Sequence, residues 1–222
     1  MQSESGLADE TSMAKITHND LRRQVVFALR ASIMSGELDS DTVYSAATIS
    51  GKLGVSVTPV REAILDLANA GLVEVVRNRG FRILGVGDGA LDEIVQVRQM
   101  LEGPAMHILT ERASDNDLKD LASSVEEMKQ LSPVQVLQFL HRDHEFHLRL
   151  MELTQNSRLV KVTSMLQDQM RLYAIGSKLT QRSIVGAATE HEMILEALIE
   201  RDAIKAETLM RDHISRVRNP GL

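Results

Sequence analysis

From residue 86 to the C-terminus, apolar residues recur every three to four positions in six successive segments, a helical period throughout. The segments run roughly Asp88–Arg112, Asn116–Gln130, Pro133–Leu153, Ser157–Tyr173, Lys178–Glu200 and Asp202–Val217. Helices joined by such short breaks can bury their apolar stripes only against one another, so this half should form an all-α antiparallel bundle. The pattern changes upstream of Gly85-Val86-Gly87-Asp88-Gly89, where three glycines in five residues interrupt any regular element. The organisation expected is a disordered tail over residues 1–14, a small domain over 15–85 and the bundle over 86–222, mainly α overall.

The small domain mixes two periods. Thr17 with Asp20 resembles a helix cap, and Leu21, Val25, Ala28, Leu29 and Ile33 then keep helical spacing up to Gly36. A second short helix fits Ser45 to Gly54. Ser56 can cap a third, with Pro59 tolerated in its first turn and Ile64 and Leu67 on its inner face. Val73-Glu74-Val75-Val76, a turn at Arg77-Asn78-Arg79-Gly80, and Phe81-Arg82-Ile83-Leu84 read as a two-stranded hairpin. This order is the outline of a winged helix-turn-helix. Ser56, Thr58 and Arg61 then sit where such a helix meets DNA, and Arg77 and Arg79 at the hairpin tip suit phosphate or minor-groove contact. An ordinary solvated hairpin is the competing reading.

Charge and composition narrow the classes. The formal net charge is −6, but residues 15–85 carry nine Lys/Arg against seven Asp/Glu, while residues 86–222 carry 16 against 21. The slight basic excess therefore falls on the segment with the DNA-binding outline. Aromatic residues are only 3% and Trp is absent, which argues against a stacking surface for single strands. Without cysteine there are no disulfides, thiolate metal sites or thiol nucleophiles, a composition that fits the cytoplasm. No apolar run approaches the roughly 20 residues that span a bilayer, and Met1 to Thr11 is too polar for a signal peptide.

Projected at 100° per residue, three segments of the bundle place polar residues on apolar arcs. On the third, Val136, Phe139, Leu140, Phe146, Leu150 and Met151 define the arc, and Asp143 and His147 lie at its centre, one turn apart. His191 falls among Ala187, Ile194, Leu195 and Leu198, and His213 among Ala206, Leu209, Met210 and Val217. A carboxylate on a buried stripe is costly unless compensated. Asp143, His147, His191 and His213 sharing a divalent cation would compensate it, zinc first, with nickel or manganese as alternatives. Separately hydrogen-bonded core histidines are the competing reading. His107 and His141 project to polar faces, His144 to an edge, and His18 precedes the first helix. On the first segment Arg98 lies at the centre of the face set by Leu91, Ile94, Leu101, Ala105 and Leu109, with Glu102 beside it. The pair is either a tucked-in ion pair or a guanidinium facing a cavity, able with the cation to hold a small organic acid.

These residues resemble the GntR family of bacterial transcriptional regulators, in the subfamily with an all-helical, FadR-type C-terminal domain. Leu53-Gly54-Val55-Ser56-Val57-Thr58-Pro59-Val60-Arg61-Glu62-Ala63-Ile64 is similar to that family's recognition-helix signature. Ala70-Gly71-Leu72-Val73 and Asn78-Arg79-Gly80 resemble its continuation into the wing. Val97-Arg98 to Glu102, Asp143 to Phe146-His147, His191 to Leu198 and Asp202 to His213 resemble the C-terminal domain in order and spacing, so the likeness covers about residues 17–217. It implies a homodimer on a pseudo-palindromic double-stranded operator, and a divalent metal at Asp143, His147, His191 and His213 that helps bind a carboxylate effector. Six bundle helices rather than seven suggest the shorter, VanR-like branch. Val57 stands where the family usually has Arg, Ala47 where relatives often carry a base, and Ser40-Asp41 replaces a usual Pro-Gly.

The function expected is a cytoplasmic, effector-responsive regulator and not an enzyme, with no membrane partner. Arg98 and Glu102 are its candidate effector contacts. Two rivals stand beside it: a metal-dependent enzyme acting on a small organic acid, and a DNA-binding regulator whose polar core is purely structural.

Overall fold

The computed structural model describes residues 18–85, 88–132, 134–176 and 181–218. The expected tail, the Thr17 cap, Pro133 and the linker pair Val86-Gly87 lie outside them.

Three helices open the chain: α1 (His18–Met34), α2 (Ala46–Leu53) and α3 (Val57–Asn69). His18 is the first residue of α1. Ser45 starts α2 by accepting from the Thr48 amide at 3.0 Å. Val25, Leu29 and Ile33 of α1 meet Ile49 of α2 and Val60, Ile64 and Leu67 of α3 in one core, which Phe81 and Ile83 close from the hairpin. That hairpin pairs β1 (Val73–Val76) with β2 (Gly80–Ile83) antiparallel, Val75 opposite Phe81. Tyr44 adds a bridge on the far side, with N–H···O bonds of 2.8 and 2.9 Å exchanged with Phe81. Gly80 makes this possible. Its φ is +136°, and a side chain there would collide with the Tyr44 carbonyl.

The second core belongs to α4 (Asp88–Arg112), α5 (Asp115–Gln130), α6 (Val136–Leu153), α7 (Ser157–Gly176), α8 (Gln181–Ile199) and α9 (Ala203–Ser215), the last tightening into a 3-10 turn at Arg216–Arg218. Ser114 and Asp117 close a reciprocal capping box at the head of α5. Met106, Leu109, Leu121, Phe146, Leu150, Met151, Ile194, Leu198 and Met210 are essentially fully buried between the helices. Gly103 lets α9 lie close against α4, since a Cβ there would come within 2.9 Å of the Arg211 guanidinium.

α7 reaches beyond the bundle. Its Leu172 is buried in the N-terminal core, where α7 packs against α1. Gln169 donates to the Ala70 carbonyl at 2.8 Å, and Arg171 to the Met34 carbonyl at 3.4 Å. Asp168 lies 3.3 Å from Arg30 of α1. One helix therefore packs in both cores.

Candidate metal centre and DNA-facing surface

Three helices of the bundle bring Asp143, His147, His191 and His213 together. One ligand atom from each lies within 4.8 Å of all the others. His147 and His191 are fully buried, His213 is 8% exposed, and the Asp143 side chain keeps 20% exposure. His213 Nε2 is 3.2 Å from His147 Nε2 and 3.1 Å from His191 Nε2. Asp143 Oδ1 is 3.3 Å from His191 Nε2 and 3.9 Å from His147 Nε2. Four tetrahedral ligands about 2.0–2.1 Å from a cation are themselves separated by about 3.3–3.5 Å. The observed spacings straddle that range.

Proton positions sharpen the fit. His147 Nδ1 donates to Glu102 Oε2 at 2.6 Å, and His213 Nδ1 donates to Glu190 Oε2 at 2.7 Å. With the outer nitrogens protonated, the neutral rings turn their Nε2 lone pairs toward each other. Protonating an inner nitrogen is opposed by burial. It pushes His147 down against the pull of Glu102, and it takes His191 to about 4 with help from His213. Burial also works against the Asp143 charge, but the hydrogen bond from His191 and the neighbouring imidazoles hold its carboxyl well below the ordinary range. The four residues thus offer one anion and the converging lone pairs of His147 and His213, and His191 would complete the set by giving up its Nε2 proton, a donor set that suits a borderline divalent ion. His191 Nδ1 is buried without a hydrogen-bond partner.

Arg98 and Glu102 sit directly behind this cluster. Arg98 Nε donates to Glu102 Oε1 at 2.6 Å and Nη2 to Oε2 at 3.3 Å, both residues being buried. Burial alone would raise the Glu102 carboxyl, yet Arg98 and His147 hold it at about 2. Arg98 Nη2 also lies 3.4 Å from His147 Nδ1. Two donors face each other there, and Glu102 is the acceptor they share. Glu190 carries the matching role for His213 and was missed by sequence reasoning. It adjoins His191 but projects off the centre of the arc. Among the other histidines, exposed His107 pairs with Glu207 at 2.7 Å and exposed His141 with Glu145 at 3.3 Å, while His144 is half-buried.

At the other end of the molecule, Ser56, Thr58, Arg61, Arg77 and Arg79 are all exposed. Ser56 stands at the N-cap of α3 but its hydroxyl accepts no cap bond, unlike Ser45. Nearby arginines are tied down, Arg22 to Asp66 and Arg82 to Glu74. Arg61, Arg77 and Arg79 have no side-chain partner among the described residues.

Residues 21–83 match the bacterial regulatory proteins of the gntR family, and residues 93–216 match the FCD domain. The chain is 29% identical to the Uxu operon regulator of Haemophilus influenzae over 80% of its own length and 73% of that protein. It is also 29% identical to the Nta operon transcriptional regulator of Aminobacter aminovorans over 55% of its length, spanning 59% of that relative. The solved structure of E. coli McbR/YncC superposes with a TM-score of 0.78 at 23% identity, covering 88% of this chain and 94% of that one. These relatives are named as transcriptional regulators, not enzymes. Within the described residues no helix is long and apolar enough to cross a membrane. The chain belongs to the GntR family of DNA-binding transcriptional regulators, in the FadR-type branch whose C-terminal half is an FCD domain.

Proposed function

We propose that this regulator's affinity for its operator is set by a small carboxylate effector at a divalent metal held by Asp143, His147, His191 and His213. The observation that carries the reading is the 3.2 Å approach of the His147 and His213 inner nitrogens while both outer nitrogens donate to carboxylates. Buried lone pairs at that distance repel unless a proton or a cation lies between them, and burial opposes the proton. Zinc fits the three-nitrogen, one-oxygen set best, with nickel or manganese as alternatives. A bound ion would supply a Lewis-acidic centre that could take a carboxylate oxygen by expanding its coordination beyond the four protein ligands.

The chain's own residues do the rest. Glu102 and Glu190 fix the tautomer and ring orientation of His147 and His213. Arg98 holds Glu102 ionised, and its guanidinium is the cationic group nearest the cluster that an anionic effector could share with Glu102. On the DNA side Arg61 and Thr58 read base edges from the start of α3. Ser56, Arg77 and Arg79 hold the backbone. The protein acts in the cytoplasm as a homodimer, and the two copies of α3 meet the halves of a pseudo-palindromic operator.

Metal analysis of tag-free protein, followed by operator titration at several salt concentrations, tests both halves. About one ion per chain is expected, lost on His213→Ala. Arg61→Ala should cost about 1–3 kcal/mol of specific binding. Protein without stoichiometric metal, whose operator affinity no carboxylate changes, would leave the polar core purely structural.

A further inference from the structure

On α3, Val57 and Arg61 are one turn apart at the edge of the stripe formed by the buried Val60, Ala63, Ile64 and Leu67, with Arg61 turned further toward solvent. Val57 is the first residue of the helix and flanks the exposed pair Ser56 and Thr58. It is only half-buried, and it is not among the side chains packed against either core, whereas Val55, two residues earlier, does pack against the N-terminal one. An isopropyl group at the tip of a DNA-facing helix therefore belongs to neither core. It can neither donate nor accept a hydrogen bond. The floor of the major groove presents donors and acceptors with a single apolar exception, the C5-methyl group of thymine.

We propose that Val57 reads a thymine methyl group in each operator half-site, next to the guanine read by Arg61. Residues four apart on a helix lie about 6 Å apart along its axis, and base pairs are stacked about 3.4 Å apart. The thymine is therefore within about two base pairs of the guanine. Arg61 supplies hydrogen-bonded recognition of G O6 and N7, and Val57 discriminates by burying a methyl group that cytosine lacks. The inference rests on α3 being the reading helix.

The test uses the full chain and duplexes selected by it from a random double-stranded pool. The best-bound duplex is then made with each thymine replaced, one at a time, by deoxyuridine, which differs only by the missing methyl. One thymine per half-site should be sensitive, the dissociation constant rising about fourfold, the equivalent of one buried apolar carbon. Val57→Ala, which removes the contact from both half-sites at once, should bind the thymine duplex about sixteenfold more weakly and be indifferent to deoxyuridine. Val57→Thr, which keeps one methyl, should retain part of the discrimination. Because Val57 lies outside the core, its variants should melt like the parent. A selected sequence in which no thymine is sensitive, or sensitivity that persists in Val57→Ala, overturns the assignment of Val57 alone. A pool that yields no preferred sequence would overturn the role of α3 itself, and Val57's with it.

Discussion

A carboxylate that accepts from the outer nitrogen of an imidazole decides which nitrogen keeps its lone pair. Glu102 and Glu190 do this for His147 and His213. Glu102→Gln retains the shape but removes the ionised acceptor, and isothermal titration with zinc should show metal affinity falling about 10- to 100-fold. A second buried carboxyl behaves differently. Burial pushes Asp168 up to about 6, against the pull of Arg30 and Arg171. Its protonated form is the one the folded protein favours. The stability this confers is complete below about pH 4 and is lost as the pH rises through about 6. Asp168→Asn should therefore stabilise the protein at pH 8, by on the order of 1–3 kcal/mol. Thermal melts should show the advantage shrinking as the pH falls toward 4; an equal effect at both ends would contradict the assignment. The proposed ligands were legible in the sequence because a charged or polar residue in the middle of an apolar arc is an anomaly that periodicity exposes. The role of Glu102 was not. The same arc positions serve an effector contact or a histidine anchor, and only the neighbour supplied by α6 shows Glu102 hydrogen-bonded to His147.

At the scale of elements, α7 is where the two halves of the chain meet. Its inner residues, Leu166 and Met170, belong to the bundle core, while Leu172 is buried among α1–α3. Leu172→Ala should cost about 2–5 kcal/mol, the usual range for an emptied core site. The loss should fall on the DNA-binding domain although the residue lies in the FCD half. Hydrogen exchange would register it as faster opening of α1 and α3 with α5 and α8 unchanged. The helices themselves were readable: α4 spans the expected residues, and Ser45 and Ser56 stand one residue before α2 and α3. The second use of α7 was not readable. A hydrophobic arc identifies a face that must be covered, and Leu172 and Asp168 lie outside the arc that covers the bundle core, while Gln169 is a polar residue within it. Their partners are main-chain carbonyls at Ala70 and an arginine on α1. No period along α7 encodes those groups. The Tyr44 bridge was hidden for a similar reason, since a single residue has no alternation to detect.

For the whole molecule, a bound ion and a bound operator are linked only as far as each favours the same arrangement of the two halves. The connection runs through groups already described: His147 to Glu102 on α4, and α6 against α7, which carries Leu172, Gln169 and Arg171 into the DNA-binding domain. Metal that binds only the folded chain adds RT ln(1 + [M]/Kd) to stability, about 2.7 kcal/mol at a hundredfold excess over Kd. For a domain of this size that corresponds to a rise in melting temperature on the order of 10 °C. Chelation should remove the increment and readdition of zinc restore it, while His213→Ala should melt at one temperature with or without metal. If the increment is confined to the bundle, calorimetry will split into two transitions and only the later one will move with zinc. If α7 transmits it, the DNA-binding domain melts with the bundle and both shift together. Leu172→Ala should then separate them. A single metal-dependent transition that survives Leu172→Ala would place the coupling elsewhere, on the direct path from Glu102 along α4 toward the wing.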